Sequence, residues 1–501
     1  MSRASLLRSR LALLAFIAAA IAAIALGCNL VVGSYEYTDV TKAGSGEAGV
    51  DGGEAGCTDP TGNGGRGCTR CAPVTTIDYL NSCTTAECSP FDDPSRGATA
   101  PGSRPLPAAP DPPDAGTTAT DAGATPSCSS LPNPVYVSGA TFSATFLGKI
   151  AQSLAQKDTT LVFLGAPSCA AFRTLLEGTA IQGSAVHWTA DVTLDPALAS
   201  SQLPCTVDPG TMPDIAVSDV FGTTCQDFPQ GALPSSLTDS FGPVQALGFA
   251  VPAQSKQRSI SAAAAYNVYG FGAQSGVAPW TDESALLHRG GSSGTQNLLA
   301  AAIGLPAAAW RGKPQGSTGS LTTALLQQGS MGGAVADSTL GIVSSDVVQQ
   351  RADQLRLLAF QAADQTCAFW PDSTETARDR INVREGRYPL WGPYHFFTRN
   401  PPANATTQQV VNAAAGNVTV AGVDLLTLYA QKALVPQCAM RVSRTKDGGG
   451  VKAFKADVSC SCYFDFLTTG KSACKPCGSS SECEGAAPNC NVFNGVGYCE
   501  P

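Results

Sequence analysis

Charged residues are scarce in this 501-residue sequence. Asp, Glu, Lys and Arg make up only 14% of it, and Ala, Gly, Pro, Ser and Thr fill the difference. The basic share is the smaller one, 31 Lys and Arg against 39 Asp and Glu, for a net charge of −8. Removing Arg3, Arg8 and Arg10, which belong to a leader, takes that −8 to −11. Such a balance excludes a general nucleic-acid binder, which needs clustered cations against phosphates. It leaves room for capture of one small anion, which needs only local donors. Beyond residue 26 no stretch is apolar enough to span a membrane. Histidine is nearly absent, with three in all, and neither His187 nor His288 has an evident partner in the sequence.

What is present begins with the leader. Its three arginines precede an uncharged apolar run at 11–26, short for a spanning helix. The run ends Ala25-Leu26-Gly27-Cys28, which resembles the lipobox of bacterial lipoproteins. That pattern usually has Leu three residues before the cysteine, where Ala25 stands; Leu26 lies one later. The resemblance implies a signal peptide at 1–27, lipid on Cys28, and an exported chain held on the membrane through that lipid, in the periplasm or at the cell surface. In a Gram-negative host the outer membrane is the expected site. A plain secretory signal with Cys28 as a bystander is the alternative.

Cysteine is abundant. Without Cys28 there are 18, clustered between Cys57 and Cys88 and between Cys438 and Cys499. Cys68/Cys71 and Cys474/Cys477 are CxxC pairs, a spacing used for metal or redox chemistry. Export to an oxidising compartment favours structural disulfides instead, with no metal and no cofactor expected. The clusters divide the chain. A Gly/Ala-rich tether at 28–56 precedes a small Cys-rich module at 57–93. A Pro-rich stretch at 94–131 reads as an extended spacer. A large domain fills 132–437, and a second Cys-rich module closes the chain at 438–501. The first module holds five cysteines, so one pairs outside it, and Cys128 is the nearest candidate.

In the large domain, short apolar strands at 135–137, 160–164, 215–217, 244–251 and 341–343 alternate with helical patterns at 142–154, 170–176, 260–271 and 321–327. Alternation of this kind predicts an α/β fold with parallel strands. Four loops follow strands and carry small hydroxyl or glycine residues. They are Ser138-Gly-Ala-Thr-Phe-Ser143, Gly165-Ala-Pro-Ser-Cys-Ala170, a loop ending in Asp219, and His288-Arg-Gly-Gly-Ser-Ser-Gly-Thr295. The last runs from a strand expected at 284–287 into a helix at 296–305. Glycines admit close backbone approach, hydroxyls donate, and the first N–H groups of a helix are unpaired, so such a loop suits an anion. Each loop taken singly is equally an ordinary N-cap turn.

Together and in this order they resemble the phosphate-binding protein of phosphate ABC transporters, within the periplasmic substrate-binding superfamily. The resemblance spans 134–437 and implies a two-lobed body with a ligand cleft, flanked here by the disulfide-rich modules. Residue by residue it implies that Thr141, Phe142, Ser168, Ser293, Gly294 and Thr295 hold phosphate or a related oxyanion by hydroxyls and backbone N–H groups. Arg289 would supply charge, and Asp219 would accept a bond from a protonated ligand oxygen. Such an acceptor repels a fully deprotonated anion, which favours hydrogen phosphate over sulfate. Gly291 stands where that family often has an acidic residue, and Pro167-Ser168-Cys169 replaces its Ser-Ser-Gly form. Gly316-Ser-Thr-Gly319 and Arg387-Tyr-Pro-Leu390 resemble later elements of the same family. Transport would also need an ABC permease as partner, which a fold does not imply.

Two other readings stay open. Gly290-Gly-Ser-Ser-Gly294 fits G-x-S-x-G, with Ser292 as nucleophile, His395 downstream, and Asp337, Asp346, Asp353 or Asp364 as the acid. Against it, Arg289 is unexpected before a nucleophile elbow and His395 lies in an aromatic stretch. The expectation is therefore a non-enzyme without catalytic residues. The Cys-rich modules also fit a surface adhesion or sensing protein that reuses a binding fold.

Overall fold

The computed structural model describes residues 57–109 and 125–501, apart from 199, 226–231, 417–419 and 421. The leader, Cys28 and the tether to residue 56 lie outside the described residues, as do 110–124 of the expected spacer.

The first lobe opens with β1 (Pro134–Gly139), α1 (Ala144–Ala155), β2 (Thr160–Gly165) and α2 (Ser168–Glu177). A hairpin of β3 (Gly183–Trp188) and β4 (Gln202–Val207) follows, then β5 (Ile215–Ser218). The chain leaves this lobe along β6 (Leu237–Pro252). The second lobe holds α3 (Ala262–Phe271), β7 (Leu287–His288), α4 (Gly294–Ile303), α5 (Thr318–Ser330), β8 (Gly341–Ser344), α6 (Ser345–Gln350) and β9 (Leu355–Leu357). Strand β10 (Trp391–Arg399) returns to the first lobe, where α7 (Ala405–Ala414), α8 (Leu425–Gln431) and β11 (Leu434–Val435) complete it. The C-terminal module contains α9 (Ser461–Thr469) and the hairpin β12 (Asn489–Phe493) with β13 (Val496–Glu500).

One ten-stranded sheet runs through both lobes in the order β8-β6-β10-β5-β1-β2-β3-β4, with β9 and β11 also paired to β6. The α/β class is as expected, but the sheet is mixed. Only β1 with β2 and β1 with β5 are parallel. Strands β6 and β10 cross between the lobes in opposite directions, so every strand they pair with here is antiparallel to them. Apolar alternation reports burial and leaves strand direction to the connections. The register of β10 on β6 shifts between Pro393 and His395. Pro393 has no N–H to give the ladder, which suits a bulge.

Each lobe has its own core. In the first, Phe146 of α1 is fully buried and meets Tyr394 at 5.3 Å and Tyr429 at 5.7 Å, edge to face. In the second, Tyr269 stacks on Trp310 at 4.3 Å and on Phe249 at 6.0 Å. Burying side chains of this size is the main stabilising contribution on both sides of the cleft.

The described cysteines are all paired, and neither CxxC motif closes on itself. Cys57 pairs with Cys71, Cys68 with Cys83, Cys462 with Cys474, and Cys477 with Cys490. The odd cysteine of the first module is Cys88, whose partner is Cys367 and not the expected Cys128; Cys128 joins Cys205. A bridge between Cys88 and Phe369 lays this segment along the second lobe. The following residues do not behave as a spacer as far as 109. Arg96 donates to Ala278 O at 2.6 Å and lies over Phe91 and Trp280, and Arg104 sits 3.6 Å over the Phe271 ring. Cation–π contacts and carbonyl acceptors hold the stretch against the lobe. Among the described residues no helix is long and apolar enough to cross a membrane.

Candidate functional site

The strand ends and the helix starts meet at one cavity of about 400 Å³ between the lobes. Four loops build it. After β1, Gly139 has φ +156° and its missing Cβ lets the turn lie against the Val217 backbone, where a side chain would collide. Ala140 N donates to Val217 O at 3.0 Å, and Ser143 Oγ donates to Ala140 O at 2.7 Å. These bonds present Thr141 and Phe142 to the cavity ahead of α1. After β2, Ala166 N donates to Gly139 O at 2.8 Å and Pro167 leads into α2, whose first residue is Ser168. The Cys169–Cys225 disulfide fixes that start. After β5 comes Asp219, buried. From the second lobe, β7 leads into the turn before α4. Asn297 shapes this turn, donating to Gly291 O at 2.6 Å and Ser293 O at 2.9 Å.

Thr141, Phe142, Ser168, Asp219, Arg289, Ser293, Gly294 and Thr295 all line this one cavity. Their bonding differs in ways that matter. Ser168 Oγ donates to Asp219 Oδ1, so its proton is committed to the carboxylate. Among the described residues Asp219 Oδ2 receives only Thr295 Oγ1, at a long 3.5 Å. Arg289 is held by the second lobe, donating through Nε to Gln315 O at 3.1 Å, through Nη1 to Thr318 Oγ1 at 2.8 Å and through Nη2 to Gly316 O at 3.3 Å. A guanidinium has five N–H donors, so two remain. No carboxylate lies within ion-pair reach of Arg289 among the described residues, in keeping with Gly291 in the place of an acid. Burial raises the pKa of Asp219, opposed by the Ser168 bond and by the charges of Arg289 and His395. Burial lowers that of Arg289, opposed by Asp219.

The lobes touch at this point. Cys169 N in the first donates to Ser292 O in the second at 3.3 Å. A Cβ on Gly294 would overlap Asp219 Oδ1 and stand 2.8 Å from Ser168 Oγ. Behind the site, Asp447 from the C-terminal segment accepts from Phe221 N at 2.8 Å and Thr224 Oγ1 at 2.7 Å.

The cavity wall also contains Gln245, Ser317, Thr318, Ser344, Val347 and Tyr394, none of them assigned to the ligand from sequence. Gln245 had a signal, as the polar residue in the apolar run at 244–251. Tyr394 had none, because its stretch reads as aromatic packing.

The hydrolase arrangement is not assembled. Ser292 is exposed and is not part of the cavity lining, although its neighbours Ser293 and Gly294 are. His395 is fully buried, stacked on Phe397 at 5.6 Å, with Nδ1 2.8 Å from Asp239. Asp239 is none of the four acids that the G-x-S-x-G reading offers. Of those, Asp337 accepts from Lys256 N at 2.5 Å and Asp346 from Gln245 Nε2 at 3.3 Å.

No family model matches the sequence, and no curated protein matches it. Solved structures align with it at low similarity. A putative phosphate ABC transporter substrate-binding protein from Clostridium perfringens, with bound phosphate, is 11% identical over 61% of this chain and 99% of its own, with TM-score 0.42. An ABC-type phosphate transport receptor from Vibrio cholerae is 14% identical over 61% of this chain and 100% of its own, with TM-score 0.39. Full-length OxyR from Pseudomonas aeruginosa is 9% identical over 57% of this chain and 65% of its own, with TM-score 0.31. Likeness at this level carries no argument about ligand.

Proposed function

We propose that this chain is an exported solute-binding protein that captures a protonated oxyanion, phosphate or a close relative, between its lobes. The observation that carries this reading is the pairing of an under-used acceptor with under-used donors. Asp219 Oδ2 has one long bond, and Arg289 has two free N–H groups. A buried carboxylate beside an anion is repulsive unless the ligand brings a proton to it. Thr141, Ser293 and Thr295, with the backbone N–H groups at the starts of α1 and α4, supply neutral donors. A neutral donor cage with one cation suits an anion of low charge. Calorimetry on the folded chain with phosphate and sulfate tests the reading. Saturable heat with phosphate and at least tenfold weaker sulfate is expected; no heat with either anion would end it.

In this reading Cys28 carries the lipid, the body stands on the exported side of a membrane, and an ABC permease receives the ligand. Labelled palmitate should enter the wild-type chain and not Cys28→Ser. A surface sensing role is the second reading. It is favoured by Asp447, which runs from the C-terminal segment to the backbone two residues past Asp219. A pull-down that recovers only transporter subunits would count against it.

A further inference from the structure

A second cavity, of about 230 Å³, lies in the second lobe against a different face of α6 from the oxyanion site. Ser344 and Val347 face the first cavity, whereas Ser345 and Val348 line the second. The ionisable groups on its wall are Arg356, Arg378, Arg380, Asp372 and Glu375. Two of the arginines are spoken for. Arg380 is ion-paired with Asp372 and donates to Gln349 Oε1 at 2.7 Å. Arg356 donates to Ala253 O at 2.7 Å and Ser255 O at 3.0 Å and lies 3.2 Å from Glu375. Arg378 differs. Its one side-chain bond is to the carbonyl of its own neighbour Ala377, at 2.8 Å. It has no ion pair among the described residues. Three cations against two carboxylates leave a surplus of one positive charge, and it is that of Arg378. Just outside the wall, Arg258 and Asp379 add one charge of each sign.

A second group is unsatisfied. Ser345 is 3% exposed, and its Oγ has no hydrogen-bond partner. A buried hydroxyl left in that state calls for a ligand or water. The rest of the wall is apolar: Val348, Leu355, Leu357 and the Trp370 ring, whose Nε1 is already bonded to Leu357 O at 3.1 Å.

We infer that this cavity is a binding site for a small organic monocarboxylate. The carboxylate sits on Arg378 and Ser345 Oγ, and the apolar end lies against Trp370 and Leu357. A planar guanidinium matches a carboxylate through two parallel bonds. A monoanion cancels the surplus charge, whereas a dianion would leave a buried negative charge. The volume lies below the range of about 300–1,000 Å³ of drug-sized ligands, so the ligand is small.

Butyrate is the probe, with butyramide as its neutral match, titrated into the full exported chain by calorimetry and saturation-transfer NMR. Saturable butyrate binding is expected, with none for butyramide and at least tenfold weaker binding in Arg378→Gln. Bound butyrate should show nuclear Overhauser contacts to the Trp370 indole, a readout that holds whether or not the variant folds. No saturable binding by folded wild-type protein, equal binding in a folded Arg378→Gln, or contacts to Tyr394 in place of Trp370 would each overturn the assignment.

Discussion

The hydroxyl of Ser168 gives its proton to Oδ1 of Asp219. Ser168 therefore cannot also donate to a bound anion while that bond stands. It orients the carboxylate and leaves Oδ2 as the acceptor that meets the ligand. Asp219→Asn should consequently lose discrimination more than capture. An amide can turn its NH2 to a fully deprotonated oxyanion, so the preference for phosphate over sulfate should fall roughly tenfold to a hundredfold. Calorimetric Kd values for both anions, wild type and variant, check this.

The pH dependence of selectivity follows from the same residue. Burial raises the Asp219 pKa. As pH falls through that raised value the acceptor becomes a donor. Sulfate binding should then strengthen and the phosphate preference shrink toward low pH. A preference that grows on acidification would contradict the role given to Asp219.

Gly294→Ala is expected to abolish anion binding while leaving a folded protein. Its Cβ would strike Asp219 Oδ1 and crowd Ser168 Oγ, so the two lobes could not meet as they do. Circular dichroism should be native, and phosphate heat absent.

Two other buried acids set the stability profile. Burial lifts Asp346 and Asp447 from an ordinary 3.8 to about 6 each. Between those values the folded state holds protons that the unfolded state releases. Their contribution is present below the ordinary value and is lost as pH rises through about 6. Each is worth up to roughly 3 kcal/mol. Thermal melting of ligand-free protein should drop between about pH 4 and about pH 6, and Asp346→Asn should flatten that drop.

A fluorophosphonate should leave Ser292 unlabelled, since its hydroxyl makes no bond to His395 and that imidazole is turned to Asp239. Mass spectrometry of the tryptic peptide spanning Ser292 would detect the adduct.

The loops of the site were legible because each follows a short apolar strand and carries glycine or hydroxyl residues. Thr141, Ser168, Asp219 and the residues from Arg289 to Thr295 could be picked out this way. Gln245 stands out only as the polar residue of the apolar run at 244–251, and Tyr394 does not stand out at all, because it comes from a crossing strand whose aromatic neighbours hide which polar atom faces a cavity. The hairpin of β3 and β4 escaped notice since Gly183, Ser184, Leu203 and Pro204 are exposed and break the apolar pattern. Its antiparallel turn, with the crossings of β6 and β10, defeated the expectation of parallel strands. Cysteine parity revealed that one cysteine pairs outside the first module. Which one required the fold, because Cys88 and Cys367 are 279 residues apart in sequence.

That long-range bridge has a mechanical consequence. The N-terminal module is covalently joined to the second lobe at Cys367, and Arg96 and Arg104 clasp the same lobe. If the chain is anchored through Cys28, as proposed, the Cys88–Cys367 bridge carries the load of that anchor into the second lobe by a covalent path.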